Sequence, residues 1–459
     1  MKKIILFFVA FSIAGSILAG GLVTNTNHSA YMTRMMSREA STGIDAVFYN
    51  PAGLTKLGDG FHFSLNNQII KQTKTITNSY LYLANTPVEY TGSVSAPFFP
   101  GIYAAFKKGK LVFSAGVNPI GGGGGAEYAG GLPSFELQIA DLVPLLVGFG
   151  LPTTQYSADV YFKGSSIYLG YQANVSYEIN NMVSVALGAR FVSAKNTYEG
   201  HLTDIMANPI YAGNPTGAMI LISPFFTAIG EPAYAAATAD AEVEVAETGT
   251  GFTPIVSVNF SPMEMLNVAV KYEFATKLTL VTEVTDSKDG GIFVDGEEVI
   301  ADMPAFLSVG ASFKPMDKFM VMAGINYFFD KNTDYDKSAD LDVAMIDKNF
   351  MSYTAGVEYK LNNLISLSVG YGASITGVNS DYQSDLRYSL NTKSFCGGIG
   401  LSLTPMIDVN LGAMFTMYDA GEKTIQHILS PGPPAIIIPA NEKYDTETMI
   451  IGIGIDLHF

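Results

Sequence analysis

Little in this sequence is spaced for covalent chemistry. The five histidines, His28, His62, His201, His427 and His458, are scattered and show no metal-ligand spacing. Cys396 is the single cysteine, which excludes an internal disulfide and a cysteine-based zinc site. No Gly-x-Ser-x-Gly elbow marks a hydrolase nucleophile. The glycines of 121–125 lack a following Gly-Lys-Ser/Thr and a strand–loop–helix context, so they form no phosphate loop. Asp334, Asp336, Asp340 and Asp342 resemble calcium ligands, but the turn glycine and the terminal glutamate are missing. A solvated acidic loop is the expectation there. No enzyme, no cofactor and no metal is expected.

The remaining polar chemistry is that of binding. Arg190 and Lys271 fall on the polar side of alternating segments, where a cation could meet the carboxylate head group of a ligand leaving water. The competing reading pairs them with Glu178, Glu273 or Glu358. Two apolar runs lie in loops rather than in alternating segments. One covers 132–149 with Phe135, Leu142, Leu145, Leu146 and Phe149; the other covers 218–226 with Ile220, Leu221, Phe225 and Phe226. Exposed apolar patches usually mark binding sites, so the two runs are candidates for ligand capture. Alternatively they pack on each other as a lid.

Composition narrows what could carry these groups. The 459 residues are 48% hydrophobic and 15% charged, which argues against disorder and against a coiled coil. A net charge of -16 excludes the basic footprint of a nucleic-acid binder. At the N-terminus, Lys2 and Lys3 precede an apolar run at 4–14 and small residues around Ser16, Ala19 and Gly20. This reads as a secretory signal peptide over 1–19, cut near Ala19. No cysteine follows the cut, so a lipoprotein anchor is excluded. Beyond residue 20 no unbroken apolar run of about 18 residues occurs, so no membrane-spanning helix is predicted.

From Phe61 onward the chain alternates with period two. Ile365, Leu367, Val369, Tyr371, Ala373 and Ile375 oppose Ser366, Ser368, Gly370, Gly372, Ser374 and Thr376. Fourteen such segments are predicted: 60–73, 97–107, 109–119, 164–179, 182–198, 252–261, 265–284, 302–314, 318–329, 349–360, 364–377, 394–404, 406–418 and 447–459. Connections after the even-numbered ones are tight, and those after the odd-numbered ones are long. Strict short/long alternation with an even strand count is the pattern of a transmembrane β-barrel. The last segment places Met449, Ile451, Ile453, Ile455, Leu457 and the terminal Phe459 on one apolar face. In the third, Asn118 and Pro119 run into Gly121 and Gly122, where proline cannot donate to a ladder and glycine favours a bend. A break in pairing is predicted there, unless Pro119 merely ends the strand at the outer rim.

Between the signal and the first strand lie about 40 residues without alternation. They hold the sequence Ser41-Thr42-Gly43-Ile44-Asp45-Ala46-Val47-Phe48-Tyr49-Asn50-Pro51-Ala52-Gly53-Leu54. This stretch, with Asn50-Pro51-Ala52 as its most specific part, resembles the N-terminal hatch of the outer-membrane long-chain fatty-acid and aromatic-hydrocarbon transporters of Gram-negative bacteria. The resemblance implies an all-β, fourteen-stranded antiparallel transmembrane barrel with residues 20–59 as a plug in the lumen of a 60–459 barrel. It also implies that a kinked third strand opens the wall sideways. The expected function is energy-independent uptake of a hydrophobic small molecule, long-chain fatty acid first, with aromatic hydrocarbon left open. A general or polar-solute porin is the alternative. The expected surroundings are outer-membrane lipid and lipopolysaccharide, and the expected state is a monomer.

Overall fold

The computed structural model describes residues 22–287, 293–335, 345–430 and 435–459. Fourteen antiparallel strands close into one ring. Its first half is β1 (Gly60–Asn78), β2 (Val88–Lys108), β3 (Leu111–Tyr128), β4 (Tyr156–Asn180), β5 (Val183–Ala207), β6 (Ala241–Met263) and β7 (Leu266–Glu273, resumed at Thr279–Ser287). The second half is β8 (Glu298–Ile300, resumed at Phe306–Met316), β9 (Phe319–Phe328), β10 (Met351–Lys360), β11 (Ile365–Ile375), β12 (Thr392–Thr404), β13 (Ile407–Tyr418, resumed at Gly421–Ser430) and β14 (Ile436–His458). The last strand closes on the first in unbroken register, from His62 opposite His458 to Asn78 opposite Glu442. The ring therefore has no free edge, as a sheet surrounded by lipid requires.

The alternation faces the way a membrane demands. On β11, Leu367, Val369, Tyr371 and Ile375 are exposed while Ser368 and Ser374 are buried. On β14, Met449, Ile451 and Ile453 are exposed while Thr448 and Ile450 are buried. The apolar side points outward, and the polar side points into the lumen. Among the described residues no helix is long and apolar enough to cross a membrane. The strands do the spanning.

Every predicted strand is present, and several run farther than predicted. β14 starts at Ile436 rather than 447, and β2 at Val88 rather than 97. In the added part of β14, across 441–446, the outward residues are Asn441, Lys443 and Asp445. Such a stretch pairs with its neighbours but has no greasy side, so period-two reading passes over it. The apolar loop runs are helical, with α3 (Pro133–Ala140) and α4 (Leu142–Gly148) in the first and α5 (Ile222–Ala228) in the second, followed by α6 (Pro232–Ala237). Two short helices, α1 (Ala30–Arg34) and α2 (Ala46–Tyr49), precede β1, with a 3-10 turn at Pro51–Lys56. The signal segment 1–19 and Asp336, Asp340 and Asp342 lie outside the described residues. Among the described residues no group of three or more His, Cys, Asp or Glu could hold a metal.

Candidate functional site

The segment before β1 sits inside the ring, because its hydrogen bonds reach the wall on every side. Ala30 N–H donates to Asn66 of β1 (3.0 Å), and the His28 carbonyl accepts from Tyr103 of β2 (2.9 Å). The Val47 carbonyl accepts from Gln172 of β4 (2.7 Å), and Thr55 donates to Ser184 of β5 (2.8 Å). Across the lumen, Glu39 accepts from Asn326 of β9 (2.8 Å), while Arg34 pairs with Glu358 of β10 (2.5 Å) and donates to Asn410 of β13 (2.9 Å). Within the segment, Arg38 and Asp45 form a buried ion pair at 2.8 Å. In both ion pairs each buried charge thus meets its counter-charge.

Asn50, Pro51 and Ala52 lie against the inner wall at β4 and β6. Asn50 Nδ2 donates to the Ser41 carbonyl (2.9 Å) and to Asn259 (2.8 Å), and its Oδ1 accepts from Ser257 (3.2 Å). The Pro51 carbonyl accepts from Ser176 (2.7 Å), and Ala52 N–H donates to Ser257 (3.4 Å). An amide suits this place because it can donate and accept at once. Proline adds no further buried N–H that would need a partner.

Arg190 and Lys271 occupy the inner face, both about 2% exposed, and both are committed to Glu273. Arg190 grips it with two nitrogens (2.5 and 2.9 Å), and Lys271 adds a third bond (2.7 Å) and another to the Phe48 carbonyl (2.7 Å). Of the two readings made from sequence, the arrangement is the ion-paired one, with Glu273 as the partner.

The wall is broken where the third strand changes composition. β2 and β3 pair from Lys108–Leu111 up to Ile102–Val117, and again at Val94–Ala126 and Ser93–Glu127, with no pairing between. Pro119 does not end β3, which continues to Tyr128 with two register shifts against β4, both within 119–124. Gly122 stands at φ +89°, where a Cβ would lie 2.4 Å from the Ser166 carbonyl oxygen, so a side chain there is doubly disfavoured. The start of the buried segment closes the gap from inside. Asn25 N–H donates to the Ile120 carbonyl (2.8 Å), and Gly122 N–H donates to the Val23 carbonyl (3.3 Å). Beside the gap, Phe98 is 82% exposed on the outside, whereas Phe99 is buried and Asn118 Nδ2 is buried with no partner among the described residues.

The outer helices pack on one another. Leu142 and Leu146 of α4 share a buried cluster with Phe225 and Phe226 of α5, with Leu145 and Ile220 half-buried against it. Phe149 and Leu221 are exposed. Phe135 belongs elsewhere, tilted onto Phe162 with ring centroids 5.5 Å apart. Glu136 anchors α3 by accepting from Tyr90 (2.6 Å) and Tyr156 (2.7 Å), and Asp385 accepts from Ser134 N–H (2.7 Å). Burial pushes the Asp385 carboxyl above its usual range. From Leu132 and Phe135, one continuous apolar cluster descends through Tyr90, Tyr128, Tyr388 and Tyr444. It reaches Phe99 and Ile120 at the wall break and Phe48 in the lumen.

A closed, even-stranded barrel with a greasy exterior and a filled lumen is a barrel of the outer-membrane type. No family model and no curated protein matches the sequence. Solved structures do match the fold. A Pseudomonas aeruginosa FadL homologue is similar over 95% of this chain and 99% of its own, at 12% identity and a TM-score of 0.64. The Pseudomonas putida toluene transporter TodX is similar over 91% and 94%, at 14% identity and a TM-score of 0.55. The Ralstonia pickettii toluene transporter TbuX matches over the same shares, at 16% identity and a TM-score of 0.52. At such identities the likeness is one of fold.

Proposed function

We propose that this chain is an outer-membrane importer of hydrophobic small molecules, working by energy-independent diffusion, with residues 20–59 as its hatch. The observation that carries the reading is the continuous apolar cluster from α3 to the wall break, in a lumen otherwise filled by residues 22–57. A greasy molecule can move along such a relay without facing water, which would cost it about 0.8 kcal/mol per methylene. Captured among α3, α4 and α5, it descends past Tyr128 and leaves sideways between β2 and β3. Asn118, Pro119, Gly121 and Gly122 keep that exit unpaired. The names of the similar structures, a FadL homologue and two toluene transporters, point the same way. A polar-solute porin is disfavoured because its lumen must stay wet, whereas this one is occupied.

The test is uptake into proteoliposomes of oleate and of toluene. Wild type should take up at least one. A variant with 118–122 replaced by a regular alternating strand should fold, bind its ligand as before and transport none. Normal uptake by that variant would rule out the lateral route, and failure of wild type on both compounds would sink the importer reading.

A further inference from the structure

We propose that His62 and His458 form a two-imidazole site for a divalent transition-metal ion of the zinc class, set across the seam where the barrel closes. The two residues are 396 apart in the chain, yet they are direct cross-strand partners of β1 and β14. Their Nδ1 atoms lie 2.8 Å from each other, with the ring planes at 62°. The other nitrogen of each ring is already committed. His62 Nε2 is 2.9 Å from the Gly58 carbonyl oxygen, and His458 Nε2 faces an Asp408 carboxylate oxygen at an ion-pair distance of 3.3 Å. A carbonyl and a carboxylate only accept, so each Nε2 carries its ring's proton. A neutral imidazole has one such proton, which leaves a lone pair on both Nδ1 atoms. The two lone pairs point at each other, and that contact is repulsive unless a cation lies between them.

Fixed tautomers are what a metal site requires. A ligating histidine donates its other N–H to a carbonyl or carboxylate, which orients the ring and raises its basicity. Gly58 does this for His62, and Asp408 does it for His458. Imidazole nitrogen suits zinc, copper and nickel better than magnesium or calcium. Tetrahedral zinc with bonds of about 2.0–2.1 Å holds two nitrogens about 3.3 Å apart, so the pair opens by about 0.5 Å on binding. His458 has room for that movement, being the penultimate residue with a side chain 27% exposed. Among the described residues no third histidine, cysteine or carboxylate completes a ligand set, so water takes the remaining positions. The site lies at the short-turn end of the ring, the periplasmic end of such barrels. An ion there ties the first strand to the last, beside the end of the buried segment at Gly58 and the start of β13 at Asp408.

The experiment titrates zinc chloride into the full chain in lipid nanodiscs, purified without a histidine tag, and follows binding by calorimetry. Wild type should bind one zinc ion per chain, and zinc should raise its unfolding midpoint, because the ion binds the folded seam only. His62→Gln and His458→Gln should each abolish both effects. Asp408→Asn should weaken zinc binding by roughly ten- to a hundredfold, the usual cost of losing a carboxylate behind a ligating histidine. His201→Gln, far along the chain on β5, should bind zinc as wild type does. Copper(II) added to wild type should give an electron paramagnetic resonance spectrum with coupling to two nitrogens, a readout that depends on no variant folding. Absence of zinc binding at millimolar concentration overturns the proposal and leaves a shared proton as the occupant of the pair. Zinc binding that survives in both histidine variants overturns it as well, as does a copper spectrum with fewer than two nitrogens.

Discussion

Arg190 and Glu273, 83 residues apart in the chain, meet in a two-point ion pair on the inner wall, at 2.5 and 2.9 Å. Lys271 closes on the same carboxylate and on the Phe48 carbonyl, so the three side chains together tie β5, β7 and the buried segment. All three charges are buried. Removing the shared carboxylate strands two cations away from water. Glu273→Ala should therefore destabilise the barrel by about 3–5 kcal/mol. Guanidinium unfolding in lipid vesicles checks this, and an unshifted midpoint would refute it.

Asp330, just past β9, gives the outer rim a dependence on pH. Its carboxylate accepts from Tyr335 (2.5 Å) and from Phe350 N–H (3.2 Å). Burial nonetheless raises its pKa from 3.8 to about 6. The folded form therefore favours the protonated acid. Its stabilising contribution is complete below 3.8 and is lost as pH climbs through 6. Opening of the β9–β10 loop should become easier by up to about 3 kcal/mol between pH 4 and pH 8. Hydrogen exchange at Phe350, corrected for the intrinsic rate, reads this directly. Asp330→Asn should flatten the profile.

Asp141 latches the outer helices. Between α3 and α4, it accepts from Tyr80 (2.5 Å) in the β1–β2 loop and meets His427 Nε2 of β13 (2.7 Å). Tyr80 is fully buried, so losing its acceptor orphans a hydroxyl. Asp141→Ala should loosen α3 and α4 locally by about 1–3 kcal/mol. Exchange in 133–148 should quicken while that of the membrane-spanning strands stays put. Exchange unchanged in the helices would mean that the apolar cluster alone holds them.

The strands were legible because lipid on one side and a polar lumen on the other impose period two on each crossing. That signal ends where lipid ends. Arg190 and Lys271 were placed on the correct face. Choosing Glu273 over Glu178 and Glu358 needed the neighbours in space. One available signal for the filled lumen went unread: the inner face of the later strands is rich in glycine. A Cβ at Gly412 would lie 2.5 Å from Arg34 N, and one at Gly356 would lie 2.2 Å from the Met36 carbonyl oxygen. Small residues on a lumenal face mean that backbone approaches there, but periodicity alone does not say whose.

Fourteen strands enclose more space than their own side chains fill, and residues 22–57 take up that space through bonds from β1 round to β13. The wall's own seam, β14 on β1, does not involve this segment. Deleting 22–57 should therefore leave a closed barrel that still inserts, with a water-filled passage and a conductance well above wild type in planar bilayers. Asn50→Leu should have a milder effect, because it removes the amide that joins Ser41, Ser257 and Asn259 while leaving the rest of the segment in place. Intermittent open events on a closed baseline are expected for it, as the segment detaches and re-seats. A deletion variant with wild-type conductance would mean that the lumen is blocked by something other than this segment.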